Sequence, residues 1–379
     1  MEIIVLLLIA VFATVVQGAI YEKKAYKKLD YTCKLDRDEV AEGEQIELVE
    51  TVTNAKLMPI PWLKAEITSS VWLDFAGSHS VTTHETRYVP SFFMLKSYQK
   101  ITRRWYVKCA KRGIHKISSA MLLTTDLLGQ NSISKPVPLN SQITVLPRLA
   151  EIDDVFIANK SFSGDIIVKR YILDDPFYIN GVRQYQTGDA LNRIDWAATA
   201  KAQQLMVKNC EHTTSQKITV LLNMQSQPYE ADTVINTDNM EYAISICAAL
   251  CDKALRLGIP VGFAANASIN GKRENTVTPY FSLYEHQIEI LRILAKLELK
   301  SSYDFPAFIK QINFFEDSTD VIIVTTHITP EIESALTAKA GAKIKILLLD
   351  YRSNTNLDDF ADIYYLKENK RKKAGEAYE

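Results

Sequence analysis

Glycine is the conspicuous shortage: the chain has 13 among 379 residues, about half the ~7% of an average protein. Little material remains for the glycine-rich loops that cradle nucleotide phosphates. Cysteine is sparse too, with five residues (Cys33, Cys109, Cys210, Cys247, Cys251). An odd, scattered set does not form an oxidised framework. Cys247 and Cys251 stand four apart on a predicted helix. They are expected to line a buried face, where cysteine acts as a small apolar side chain, rather than to form a redox or metal pair. Excess charge of one sign is also missing: 44 Lys+Arg stand against 45 Asp+Glu, for a formal net charge of −1. This removes any general electrostatic basis for binding nucleic acid. His79, His84 and His115 lack carboxylate or cysteine companions at metal-ligand spacing.

What is present is ample apolar material, 47% of the chain, enough for two or three globular units without disulfide or metal staples. Ile3 to Ile20 run IIVLLLIAVFATVVQGAI without a charge. As a helix this stretch is about 27 Å long, just sufficient for a thin or adjusted hydrocarbon core. A cleaved signal peptide is the competing reading, with a small-residue site near Val16-Gln17-Gly18. The n-region, Met1-Glu2, is not basic as a signal requires. Positive charge follows instead, at Lys23, Lys24, Lys27, Lys28, Lys34 and Arg37. By the positive-inside rule the following chain stays in the cytoplasm. Residues 1–21 are therefore expected to be a single-pass anchor in the cell membrane, touching the bilayer through residues 3–20. Reduced cysteines agree with that side.

Residues 30–148 have the texture of an antiparallel β-sandwich. Gln45–Thr53 alternates, and Val71–Leu73, Arg104–Val107 and Ile143–Leu146 are β-branched or aromatic runs. Turn signals at Glu42-Gly43, Asn54, Met58–Pro61, Arg112-Gly113 and Leu128–Asn131 separate them. The basic stretch Lys108, Lys111, Arg112 and Lys116 suits a solvated edge strand, with a phosphate- or lipid-facing role as the alternative.

From residue 217 to 367 strands and helices alternate. Ile218–Leu222, Val261–Ala265, Val321–Thr325, Ile344–Leu349 and Ile363–Leu366 read as strands. Between them, Asp238 with Glu241 resembles a capping box opening a helix that buries Met240, Ala243, Ile244, Cys247, Ala248, Cys251 and Leu255. Ser282 and Glu285 are expected to cap a second helix, a shorter one covers Phe305–Ile312, and Thr329-Pro330 opens a fourth that closes at Gly341. Such alternation implies a mostly parallel sheet covered on both faces. Ligands on such sheets bind beyond the carboxyl ends of the strands. The fold class expected for the whole is α+β multidomain. Residues 368–379, with Lys370-Arg371-Lys372-Lys373, read as a charged, solvated tail that would meet anionic lipid near a membrane.

The most distinctive stretch lies between these domains, in residues 149–216. Residues 181–208 read GVRQYQTGDALNRIDWAATAKAQQLMVK. Arg183, Asp189, Arg193 and Asp195 alternate in sign around Gly188-Asp189, with Tyr185 and Trp196 as large amphipathic surfaces. Arginine–carboxylate pairs are geometrically specific, so the segment reads first as an ion-paired knot docked on the sheet. A recognition surface is the second reading. Catalysis is the third, because the stretch has no histidine, serine or cysteine.

This run resembles the signature of the bacterial domain of unknown function 58. The matching positions are Gly181, Arg183, Tyr185, Gly188, Asp189, Arg193, Ile194, Asp195, Trp196 and Ala200, with departures at Lys201 and Asn192, where basic residues (arginine at the first) are usual. The resemblance implies a membrane segment, a β-rich region and a C-terminal domain like von Willebrand factor type A. It further implies association with MoxR-type AAA+ ATPases in membrane-linked systems that assemble or mature other proteins. It assigns no activity.

The von Willebrand likeness makes a chemical expectation. Metal-binding members carry Asp-x-Ser-x-Ser after the first strand, whereas this chain reads Asn223-Met224-Gln225-Ser226-Gln227, and Thr325-Thr326-His327 brings no aspartate. A neutral set at Asn223, Gln225 and Gln227 would hardly repay dehydration of Mg²⁺, so the site is expected to be degenerate. No cofactor is expected and no catalytic residue is assigned. The leading expectation is a membrane-anchored, non-enzymatic scaffold or adaptor for a cytoplasmic ATPase or another membrane-associated protein. The alternatives are an enzyme using the Arg183/Asp189/Asp195 cluster, or a receptor binding an anionic ligand through Arg183 and Arg193.

Overall fold

The uncharged N-terminal run forms helix α1 (Glu2–Lys24), with Lys23 and Lys24 in its last turn. Over Leu6–Lys24 it is long and apolar enough to cross a membrane, with a mean hydropathy of 1.5. The computed structural model describes residues 2–126, 128–129, 131–151, 156–158, 179–185, 194–210, 217–230, 233–256, 258–269, 271–272, 274–313, 319–339, 343–349 and 361–366. The chain divides into two units, Met1–Arg148 with Leu291–Lys296, and Leu149–Ile290 with Leu297–Glu379.

In the first unit, ten strands follow α1: β1 (Leu29–Leu35), β2 (Glu39–Ala41), β3 (Gln45–Asn54), β4 (Ile60–Ser70), β5 (Leu73–Phe75), β6 (Val81–Thr82), β7 (Thr86–Leu95), β8 (Lys100–Cys109), β9 (Gly113–Thr125) and β10 (Ser132–Leu146). They form a four-stranded sheet, β1-β3-β8-β5, and a six-stranded sheet, β2-β10-β9-β4-β7-β6. Pairing is antiparallel except where β2 runs parallel to the end of β10. The alternation in Gln45–Thr53 has the expected cause: every second residue of β3 is buried, since side chains of a strand point to opposite faces. Leu48, Val52 and Val107 from one sheet and Leu63, Ile67, Ile117 and Ile143 from the other belong to one apolar cluster.

Glu50 occupies one of those inward positions and is fully buried. Its carboxylate accepts from Tyr31 Oη at 2.8 Å, Ser91 Oγ at 2.7 Å and Trp105 Nε1 at 3.1 Å. Burial raises its pKa, against the pull of those donors. Two local expectations need correction. Val71 and Trp72 lie in a turn, with the strand beginning at Leu73, and the Lys111 ammonium sits 4.7 Å from the centre of the Trp72 ring. Arg112 is buried rather than solvated.

The second unit contains β11 (Phe156–Ala158), β12 (Ile179–Gln184), α2 (Trp196–Ala202), β13 (Met206–Cys210), β14 (Lys217–Leu222), α3 (Thr237–Arg256), β15 (Val261–Ala265), β16 (Ala267–Ile269), β17 (Thr276–Val277), α4 (Gln287–Lys296, whose second half belongs to the first unit), β18 (Leu297–Ser301), α5 (Phe305–Gln311), β19 (Thr319–Thr325), α6 (Pro330–Thr337), β20 (Lys343–Leu348) and β21 (Ala361–Leu366). The main sheet has the order β11-β21-β20-β19-β14-β15-β17. Its five middle strands are parallel, whereas β11 and β17 are antiparallel edges, so the sheet is mixed. All seven residues expected on the inner face of α3 are buried.

The caps differ in part from expectation. Asn236, not Asp238, accepts the Asn239 amide at 3.1 Å and starts α3. A single 3₁₀ turn, Tyr284–His286, precedes α4, with no side-chain cap from Ser282. Thr329 does cap α6, accepting from Ile332 N at 3.4 Å. That helix ends at Thr337.

Candidate functional site at the carboxyl ends of the parallel strands

Parallel strands deliver the chain to one edge of the sheet, where β14 and β19 end side by side. Asn223 follows β14 and is fully buried. Its amide donates to Val324 O at 3.0 Å, its Nδ2 donates to Thr325 Oγ1 at 3.1 Å, and its Oδ1 accepts from Gln225 N at 3.1 Å. Gln225 is also buried, donating to Glu230 O at 2.8 Å and accepting from Phe305 N at 3.1 Å. It thus satisfies the first amide of α5, whose own N-cap residue Asp304 makes no capping bond. Gln227, the third position of the degenerate set, is exposed.

The residue at the centre of this edge is one the sequence did not single out. Glu230 is buried, and its carboxylate accepts from Ser226 N at 2.5 Å, from Ser226 Oγ at 2.9 Å, and from the Ile235 amide. Ser226 Oγ in turn accepts from Asn236 N at 2.9 Å. The carboxylate pins both ends of the loop leaving β14, and between them Tyr229 takes a left-handed conformation, φ 58°. Tyr229 is 80% exposed, and its hydroxyl donates to Glu331 Oε1 at 3.4 Å. Across the edge, Thr326 Oγ1 lies 3.1 Å from Gln225 O and 2.9 Å from Ser226 O. The neighbouring His327 is pushed below the ordinary imidazole pKa by burial, with the Glu230 charge opposing. Among the described residues no group of three or more His, Cys, Asp or Glu converges to hold a metal ion.

The signature segment is a second feature of this unit. Gly181 and Arg183 lie in β12, which pairs with β13, Arg183 opposite Val207. The Tyr185 amide continues that pairing to Leu205 O at 2.9 Å. Gly188, Asp189 and Arg193 lie outside the described residues, as does the side chain of Arg183, so the expected mutual pairing of these charges falls there too. Asp195 is described: its Oδ1 accepts from Ala198 N at 3.0 Å, which makes it the N-cap of α2. Its own amide donates to Met206 O at 2.9 Å, and Thr199 Oγ1 accepts from Met206 N at 3.0 Å. These bonds fold α2 back on β13. Ile194 is buried, whereas Trp196, the first residue of the helix, is 69% exposed.

Both features fall within a stretch that matches a known family. Residues 181–357 match the family described as protein of unknown function DUF58. The uncharacterized protein YeaD of Bacillus subtilis (strain 168) is 23% identical over 265 residues, 69% of this chain and 61% of YeaD. Both findings support the DUF58 assignment of the signature. The matched range takes in the Glu230 loop and Trp196. Among solved structures, a non-cellulosomal cohesin from the archaeon Archaeoglobus fulgidus aligns at 12% identity and a TM-score of 0.21, over 31% of this chain and 91% of that one. The CARDB domain of a Pyrococcus furiosus protein aligns at 13% identity and a TM-score of 0.19, over 30% and 94%. Scores this low carry no argument about fold or function.

Four of the five cysteines, Cys33, Cys109, Cys247 and Cys251, are buried free thiols. Burial pushes Cys251 up to about 12 and Cys247 well above its ordinary value. Such thiols carry almost no thiolate at neutral pH and are poor nucleophiles.

Proposed function

We propose that this chain is a membrane-anchored, non-enzymatic scaffold or adaptor. In this reading α1 crosses the cell membrane and both units lie in the cytoplasm. The first unit is an antiparallel sandwich, and the second is a von Willebrand factor A-like domain whose metal site has degenerated. Its partner is a MoxR-type AAA+ ATPase or another membrane-associated protein.

One observation carries the proposal: the polar side chains where a parallel sheet would bind a ligand are engaged with one another. Asn223, Gln225, Ser226 and Glu230 bond to protein groups, while Tyr229 and Trp196 are exposed. Exposed tyrosine and tryptophan on well-bonded supports are the side chains that dominate protein–protein contacts. Asp195 Oδ1 is likewise engaged, as the cap of α2.

The test is in-cell photocrosslinking from positions 196 and 229, followed by mass spectrometry of the membrane fraction. Capture of an AAA+ ATPase from position 196 that is abolished by Tyr229→Ala, and from position 229 that is abolished by Trp196→Ala, with unchanged melting, is the expected result. Full partner capture and stability in Asp189→Ala or Asp195→Ala, together with a lost cellular phenotype, would refute the scaffold and favour an enzyme.

A further inference from the structure

The end of α1 is bolted to the first unit along one hairpin. Tyr26 Oη donates to Leu122 O at 2.8 Å and Ile133 O at 2.6 Å. Tyr21, buried, brings its hydroxyl 3.1 Å from Thr124 Oγ1. A Cβ on Gly18 would stand 3.0 Å from Asn131 Nδ2, so glycine permits the close approach there. Lys56 Nζ reaches Ala25 O at 2.5 Å, just past the last turn of the helix. These contacts climb in step. From Tyr21 back to Gly18 the helix rises about 4.5 Å, and from Thr124 to Asp126 the end of β9 advances about 6–7 Å. The helix therefore runs beside the β9–β10 hairpin toward its turn. Asp126 and Asn131, at the ends of that turn, lie beside Gly18, and Leu128 follows Asp126 in the turn.

The widely exposed positions of α1 lie in its N-terminal part. Ile3, Phe12 and Val15 are 80%, 70% and 65% exposed, whereas the Gln17 side-chain amide is buried and from Gly18 onward one face of the helix is against protein. Ile3 to Val16 spans only about 21 Å, against a hydrocarbon core of about 30 Å. Submerging the apolar run down to Ile20 gives about 27 Å and draws the hairpin turn in with it. The turn is suited to this. Leu128 is 56% exposed, and Asp126 is buried with its polar groups engaged: its amide donates to Asn131 O at 3.0 Å, its carbonyl accepts Gly129 N at 3.0 Å, and its carboxylate accepts Asn131 Nδ2 at 3.3 Å. Satisfied polar groups lower the cost of entering an apolar medium. Below this level Lys23, Lys24, Lys27 and Lys28 are exposed.

We propose that the β9–β10 turn, led by Leu128, inserts into the acyl-chain boundary of the same bilayer that α1 crosses, with the four lysines at anionic headgroups. The inference rests on the anchoring of α1 proposed above. It makes the membrane a second binding surface of the first unit and fixes that unit's tilt.

The experiment uses the full chain in vesicles of phosphatidylcholine and phosphatidylglycerol, with an environment-sensitive fluorophore on one introduced cysteine. The sites are Leu128→Cys, Ile9→Cys within the anchor, and Val81→Cys, which pairs with the start of β7, at the far end from the Lys56–Tyr98 contact. Identically treated wild-type protein is the blank, and lipids carry a nitroxide either shallow in the acyl chain or at the bilayer centre. The proposal expects the label at 128 to shift to the blue and lose most of its emission to the shallow nitroxide, while the label at 81 is unaffected. If the label at 9 is quenched by the deep nitroxide but the label at 128 behaves like that at 81, the insertion is refuted and the anchor stands. If the label at 9 is also unquenched, the anchor itself fails and the insertion falls with it.

Discussion

Replacing Glu230 by alanine removes the acceptor for three donors at once: Ser226 N, Ser226 Oγ and Ile235 N. A hydrogen bond to a charged group contributes about 1.5–3 kcal/mol, and a buried donor left unsatisfied costs about 1–3 kcal/mol. Such terms do not add fully, and water entering the vacated space recovers part of them. A net loss of about 3–5 kcal/mol follows, typical of breaking a buried charged cluster. At ~2–4 °C per kcal/mol for a unit of this size, the melting temperature falls by roughly 6–20 °C. Glu230→Gln is milder but not neutral, because its NH₂ must face either the Ser226 or the Ile235 amide. Thermal melting followed by circular dichroism measures the loss, and hydrogen exchange locates it at the Ser226 and Ile235 amides. Tyr229→Ala, at an exposed position in the same loop, is the control and should leave melting unchanged. A loss below ~1 kcal/mol in Glu230→Ala, with both amides still protected, would refute the reasoning.

Asp195→Ala should cost about 0.5–2 kcal/mol, the range for a lost N-cap; a measured loss of ~3–5 kcal/mol would instead mean that the carboxylate also holds a buried arginine. His115 is held below the ordinary 6.5 chiefly by burial, while its hydrogen bond to the Lys111 carbonyl pulls the other way. On acidification the unfolded chain takes up that proton first, so the stability this residue contributes is complete above pH 6.5 and is lost as pH falls through the lowered native value. His115→Gln should flatten the dependence of unfolding free energy on pH over that window, and an unchanged slope contradicts the assignment. Mg²⁺ bound only by the folded state would add about 2.7 kcal/mol at a hundredfold excess over Kd; melting with millimolar Mg²⁺ or with chelator should therefore coincide, and a reproducible rise would restore Asn223 as a metal ligand.

The parts of the fold that were legible in the sequence are those where one local period carries the information. The strands β14, β15 and β19 are almost entirely buried, and they appear in the sequence as mostly apolar runs without alternation, because a parallel strand is covered on both faces. In β3 one face meets the core, so the run alternates, and in α3 the spacing of Met240 through Leu255 marks the buried face. The antiparallel edges β11 and β17 were not legible. They are three and two residues long, shorter than any period that could announce them. The resemblance to DUF58 was readable in residues 181–208, within the matched range, but the role of Asp195 as a helix cap was not. The start of the helix has to be located before a carboxylate in an alternating charge pattern can be recognised as its cap.

The buried carboxylates show most clearly where sequence ends and tertiary structure begins. Glu50 sits in a strand whose pattern alone calls for an apolar residue. Its donors Tyr31, Ser91 and Trp105 come from positions 19, 41 and 55 residues away. Glu230 has its donors within five residues, yet only the turn at Tyr229, with its left-handed φ, brings them round one carboxylate. The same holds for the anchor. Composition alone determined that residues 3–20 form an uncharged apolar helix. That its last turns lie against a hairpin about a hundred residues later was decided by Tyr21 and Tyr26 finding Thr124, Leu122 and Ile133. Hydrophobic period is a property of neighbours along the chain, whereas the satisfaction of a buried polar group depends on which distant segments the fold brings within about 3 Å of it.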